Sequence, residues 1–344
     1  MIADGLATTK ERCASNNVRI NMAKKHRPKN QIAPENAVEP APTPQRPALD
    51  IESLRNFLDN IRSFAGPALI LESSSVNRLY HYTDLPGLNG IVSNNDLWLT
   101  HLRFSNDDEE MTHGQNIVAE LLKERPKKPE RGQLSYLERL EEILDEPVTD
   151  GVYVCCFCAR DNLLSQWRGY AANGTGVSIE LNHQAFDFLT GPDCMKHGLL
   201  RLWKVFYKEE QQREIVAKAI EFAWKHQQDL TIEKRAQNAA DAIQFFIPTF
   251  KNRDFEEENE WRLIFTPQPN AAVQPQFRTA RNMLVPYYSL QKLGWGPTQP
   301  LPIKGLCIGP STHKALNAQS AQLLLKQRNY TNVPVSVSKI PFRG

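Results

Sequence analysis

From Leu49 onward the chain alternates between stretches whose apolar residues recur every three to four positions and short apolar runs bounded by polar breaks. The first pattern predicts amphipathic helices and the second predicts strands. Leu49, Leu54, Phe57, Leu58, Ile61 and Phe64 stand at helical spacing behind Asp50, a residue suited to cap the N-terminus. Residues 79–82 then predict a short strand, Asp84 with Pro86 close behind predicts a helix start, and 97–100 predict a second strand. Two amphipathic helices follow over about 109–123 and 133–144, parted by the charged, proline-bearing segment 124–132. Apolar runs at 152–158 and 176–181 predict strands, with the polar segment 165–174 as a loop between them. Helices over 209–228 and 231–247 precede an acidic strand at 255–265. A strand at 303–308, a helix at 312–328 and a strand at 333–340 close the chain.

Strands and helices are mixed without regular alternation, and no glycine fingerprint follows the first strand. The expected class is therefore α+β and not a doubly wound sheet. The expected architecture is one mixed domain over 49–344, with small sheets forming a cleft and helices around them. Residues 1–48 read differently. The first fifty residues hold six prolines, eight Lys and Arg against five Asp and Glu, and almost no apolar period, so 1–48 are expected to be a disordered, proline-rich basic tail. Met22, followed by a basic stretch, could serve as a second start. There is no internal repeat.

Charge narrows the function classes. Of the chain's 41 Lys and Arg and 39 Asp and Glu, 33 and 34 remain once those first fifty residues are removed, a near-neutral body without a general field for nucleic acid. No run of about 18 apolar residues occurs, so a spanning helix is not expected. The N-terminus lacks the apolar stretch of a secretory signal, and a soluble, cytoplasmic protein is expected. Among the six cysteines, Cys155, Cys156 and Cys158 crowd one apolar run instead of spreading into a disulfide framework. Strand alternation puts Cys156 and Cys158 on one face and Cys155 on the other. No second Cys/His pair has zinc spacing, and His101 and His113 do not supply one, so no metal is expected. Gly174 and Gly176 in Asn-Gly-Thr-Gly read as a turn into a strand and not as a phosphate loop.

Three clusters combine polar or ionisable groups with large aromatics, as a nucleotide-sized pocket would: His81, Tyr82 and Thr83; Ser165, Trp167, Arg168 and Tyr170; and Glu258, Glu260, Trp261 and Arg262. Along a strand successive side chains alternate, so Glu258, Glu260 and Arg262 are expected on one face and Asn259, Trp261, Leu263 and Phe265 on the other. The apolar trio marks the core side, leaving the charged trio to face a cleft. The plainer alternatives are a solvated charged edge for the acidic run and a structural, satisfied role for His81.

In order and spacing these blocks resemble the bacterial family named domain of unknown function (DUF) 2971. The blocks are Leu79 to Thr83, Leu97 to Thr100, Phe104 to Asp107, Ser165 to Tyr170 with Gly176 and Val177, Glu258 to Arg262, Ile308 to Pro310, and Ser338 with Ile340 and Pro341. The resemblance spans about 78–343. More distantly, a first-strand His, a middle aromatic and serine block and a late Glu resemble the ADP-ribosyltransferase superfamily, although no clear Ser-Thr-Ser strand is present. That resemblance implies a cleft that takes NAD, with His81 on ribose hydroxyls and Tyr170 or Trp167 stacked on nicotinamide. Tyr82, Thr83, Ser165, Arg168 and Arg262 would complete the pocket. Glu260 would stabilise the charge that builds on the ribose as the glycosidic bond breaks, and Glu258 would guide the acceptor, a protein or nucleic acid. It implies an ADP-ribosyltransferase or NAD glycohydrolase, a toxin or defence effector. The alternative is a catalytically silent nucleotide-binding or protein-interaction module on the same scaffold.

Overall fold

The computed structural model describes residues 78–104, 110–145, 151–182, 184, 197–268, 271–280, 282–294 and 300–341. The tail at 1–48, the helix expected at 49–64, and Ser105, Asn106 and Asp107 lie outside the described residues. The elements are β1 (Leu79–Thr83), α1 (Leu85–Asn94), β2 (Trp98–His101), α2 (Glu110–Lys123), α3 (Gln133–Asp145), β3 (Tyr153–Cys158), α4 (Leu164–Gly169), β4 (Val177–Leu181) and β5 (Gly198–Lys204). They continue with α5 (Glu209–His226), α6 (Ile232–Phe246), β6 (Glu260–Pro267), β7 (Gln276–Ala280), β8 (Met283–Ser289), β9 (Ile303–Ile308), α7 (Lys314–Gln327) and β10 (Val335–Val337). The α+β class expected from the sequence is the class observed. The expected small sheets are joined into one open sheet of ten strands.

That sheet branches at β3. Along one edge β3 pairs antiparallel with β6 over its full length, from Tyr153↔Phe265 to Cys158↔Glu260, and β6 in turn pairs with β5. The other edge is shared. At one end it meets β2 through Thr100↔Val154 and His101↔Tyr153, and β8 and β7 follow β2. At the other end it meets β1 through Tyr80↔Cys158, and β4, β9 and β10 follow β1. Between the two pairings the Cys156 carbonyl accepts from the His81 ring at Nδ1, 2.9 Å away. A histidine thus supplies the bond that a third strand would have made.

Helices cover both faces, which is why β3 reads as an unbroken apolar run and not an alternating one. Against Val154, Trp203 and Ile264 pack Val118 and Leu122 of α2, Leu140 and Ile143 of α3, Ile215 and Ala219 of α5, and Ala239, Ile243 and Phe246 of α6. Against Leu79, Phe157, Ile179, Trp261 and Leu306 on the opposite face pack Leu88 and Val92 of α1 and Ala321 and Leu325 of α7. Local chemistry fixes several boundaries as read. The Asp84 carboxylate accepts from the Gly87 amide at 2.7 Å, Pro86 occupies the first turn, and Asn95 ends α1 in the left-handed region at φ 52°. Thr231 caps α6 through the Lys234 amide at 3.2 Å.

Three readings are corrected. Residues 165–174, expected to be a loop, form α4 and a 3-10 turn (Ala172–Gly174). The acidic strand begins only at Glu260, because Arg253–Glu258 form a 3-10 turn closed by Asn259 at φ 43°. β5, β7 and β8 had no counterpart in the sequence reading. No helix among the described residues is long and apolar enough to cross a membrane.

Candidate functional site

Glu260 opens β6, and strand register fixes what surrounds it: Glu260, Cys158, Tyr80 and Glu180 lie side by side across β6, β3, β1 and β4. Arg262, two residues on, shares the face of Glu260, as the alternation requires. That face is not open, because Tyr207 before α5, Pro248 and Lys251 after α6, and the turn before β6 close over it. Glu260 is 5 % exposed and Arg262 1 %. Burial of this kind is tolerated only when charges are paired and their remaining donors used. Arg262 grips Glu260 with two parallel bonds, Nε to Oε1 and a terminal nitrogen to Oε2, both 2.8 Å, and gives its other terminal nitrogen to the Pro248 carbonyl at 2.9 Å. Lys251 Nζ reaches Glu258 Oε2 at 2.6 Å and Glu260 Oε2 at 3.1 Å while lying 4.9 Å over the Phe255 ring. The Glu260 amide donates to Tyr207 Oη at 2.8 Å.

The result is a closed network of two carboxylates and two cations. Burial alone pushes the Glu260 carboxyl up. The Arg262 guanidinium, its hydrogen bonds and Lys251 outweigh that and hold it at about 2. The expectation of a charged trio facing a cleft is therefore corrected. Glu258 lies off the strand in the preceding turn, and Glu260 and Arg262 are interior.

The middle cluster meets this network at its rim. Tyr170 Oη donates to Glu258 Oε1 at 2.9 Å, and Ser165 Oγ to Glu257 Oε1 at 3.3 Å. Burial raises the Tyr170 phenol, so it remains a donor at neutral pH. Arg168 lies on the exposed side of α4. Trp167 is enclosed: its Nε1 donates to Asn162 Oδ1 at 3.0 Å, and the Tyr82 ring meets it edge-on at 5.1 Å between centroids. The Tyr82 hydroxyl donates to the Arg160 carbonyl at 3.2 Å and accepts from the Leu163 amide at 3.1 Å. Both aromatics dock α4 on the sheet and offer no ring face to a ligand.

The first cluster does not join the late one. Tyr80 shares the face of Cys158 and Glu260, so His81 points to the opposite side, where its ring meets Phe157 edge-on. Because a carbonyl only accepts, the bond to Cys156 places the His81 proton on Nδ1, and burial lowers its pKa and favours the neutral ring. Thr83 ends β1 beside two close backbone approaches. A Cβ on Gly176 would stand 2.2 Å from the Thr83 carbonyl, and one on Gly87 2.1 Å from its hydroxyl. The Asn-Gly-Thr-Gly turn thus serves packing.

The sequence reading missed Lys251, Tyr207 and Arg201. A lone lysine directly after the apolar run ending in Phe250 was the available signal for the first. Cys155, Cys156, Cys158 and Cys307 are free thiols, and no group of three or more His, Cys, Asp or Glu among the described residues is placed to hold a metal.

The model of a family described as a protein of unknown function, DUF2971, matches residues 166–263. That stretch runs from α4 into β6 and contains Trp167, Tyr170, Lys251, Glu258, Glu260 and Arg262, but not the His81 cluster. No curated protein and no solved structure matches the chain.

Proposed function

We propose that this chain is a catalytically silent binding module, in which Glu260 belongs to the framework and does not assist cleavage of NAD. The observation that carries this reading is the engagement of both Glu260 oxygens by Arg262 and Lys251 in a buried setting. A carboxylate lowers the barrier to glycosidic cleavage only if its charge can approach the ribose, and only if it meets the transition state better than the ground state. Two cations already neutralise this one. The position of His81 on the opposite face supports the same reading, since the NAD arrangement needs both residues in one cleft.

The second reading, an NAD-using ADP-ribosyltransferase or NAD glycohydrolase, is favoured by one observation. Tyr170 and Glu258 meet at 2.9 Å where neither is fully buried, so Glu258 is the acid a ribose could reach. Incubating the full chain with NAD and measuring free nicotinamide separates the two. The module releases none above the buffer rate. Release that vanishes in Glu258→Gln would establish the NAD reading and overturn ours.

A further inference from the structure

The strand β5 carries a guanidinium whose charge has no counter-charge among the described residues. Arg201 is buried on the face covered by α2, α3, α5 and α6, in line with Leu199 and Trp203. One terminal nitrogen donates to the Phe245 carbonyl at 2.6 Å, in the last turn of α6, and the other reaches Thr266 Oγ1 at 3.4 Å. Its Nε has no partner, and no ion pair to it exists among the described residues. The Phe245 ring lies 3.8 Å from its central carbon. Burial alone pushes its pKa down to about 9. An arginine is seldom left this way, because a buried charge without a counter-charge is costly to hold.

Beside it is a cavity of about 540 Å³, within the usual size range for small-molecule sites. Phe245 and Thr266 belong to its wall, so the guanidinium lies one side chain behind the lining. The buried part of that lining is apolar, with Leu102, Val118 and Leu122. Carboxylates stand around the cavity: Asp145 is exposed, Glu141 is tied to Arg125 at 2.5 Å, and Asp241 accepts from Gln237 at 2.8 Å. Arg103 is the exposed cation among them.

We propose that this cavity binds an amphipathic carboxylate, with its apolar body against Leu102, Val118 and Leu122 and its anionic head turned inward to Arg201, which the head reaches as the Phe245 ring on the cavity wall turns aside from the guanidinium. Asp145, at the exposed end, repels an anionic head and the buried guanidinium attracts it, so charge sets the direction of entry. The site is separate from the Glu260 network and stands whichever reading of that network holds.

Calorimetry on the full chain with decanoate, decanol and decylamine tests this. Decanoate binds one to one, at least about tenfold tighter than decanol, the gain of a charge-assisted bond, and decylamine binds worst. In Arg201→Met, decanoate loses its advantage over decanol. Ala119→Trp, at an exposed α2 position on the cavity wall, abolishes binding of all three while leaving the melting temperature unchanged. The proposal is overturned if decanol or decylamine matches decanoate, if decanoate gives no binding, or if Ala119→Trp leaves it intact. If Arg201→Met fails to fold, as it would were Arg201 only a cap for α6, the wild-type ligand series and Ala119→Trp decide the matter alone.

Discussion

Replacing Glu260 by Gln keeps the shape of the side chain and removes the anion that Arg262 and Lys251 share. In the folded chain its carboxyl is held at about 2 against an ordinary 4.5, although burial by itself would raise it. A depression of that size corresponds to a stabilisation on the order of 3 kcal/mol at neutral pH. Removing one member of a buried ion pair costs about 3 to 5 kcal/mol by mutation, because the cations left behind stay desolvated. The two figures agree in scale. The folded value lies below the unfolded one, so the contribution is complete above about pH 4.5 and is lost as the pH falls toward 2. Urea unfolding followed by tryptophan fluorescence should therefore show Glu260→Gln less stable than wild type by about 3 kcal/mol at pH 7. The gap should narrow steadily below pH 4.5, where wild type loses the same charge. A variant as stable as wild type at pH 7, or a gap that stays constant down to pH 3, would refute the structural assignment of Glu260.

His81→Ala leaves the Cys156 carbonyl without its partner at the branch of the sheet and should destabilise by about 1 to 3 kcal/mol; denaturant melts that superimpose on wild type would rule that out. Gly176→Ala places a Cβ 2.2 Å from the Thr83 carbonyl, an approach that backbone cannot yield, so circular dichroism should show loss of cooperative melting. Gly90→Ala, inside α1 with open space around the new methyl, should instead stabilise by about 0.5 to 1 kcal/mol, seen as a raised melting temperature, and a lowered one would contradict the local reading.

Where the chain's local chemistry decides structure, the sequence reading is close. The apolar runs at 79–82 and 97–100, with Asp84 and Pro86 between them, place β1, α1 and β2, and the patterns at 152–158 and 303–308 place β3 and β9. Alternation correctly puts Glu260 and Arg262 on one face. It is silent on what covers that face, and the cover comes from Tyr207, Pro248 and Lys251, which flank the two long helices. α4 is too short to show a helical period. β8 escaped notice because Pro286 interrupts its apolar run, and β5 because Arg201 and Lys204 disguise it. The left-handed turn at Asn259 takes Glu258 out of the strand, and the available signal was the asparagine itself, the residue after glycine that most readily adopts that conformation. Lys251 belongs to the site only because the fold brings it back to Glu258 and Glu260.

The edge of β3 that β6 covers bears on how the chain is made. β1, β2 and β3 leave the ribosome early, but the strand that occupies the long free edge of β3 begins at Glu260, some 100 residues after Cys158. At about 5 to 20 residues per second, that edge waits roughly 5 to 20 s with its row of amides and carbonyls unpaired. Pairings of such long sequence separation also form slowly once both partners exist. During synthesis the apolar run Tyr153–Cys158, buried on both faces in the finished fold, is thus the segment most open to pairing with a neighbouring nascent chain.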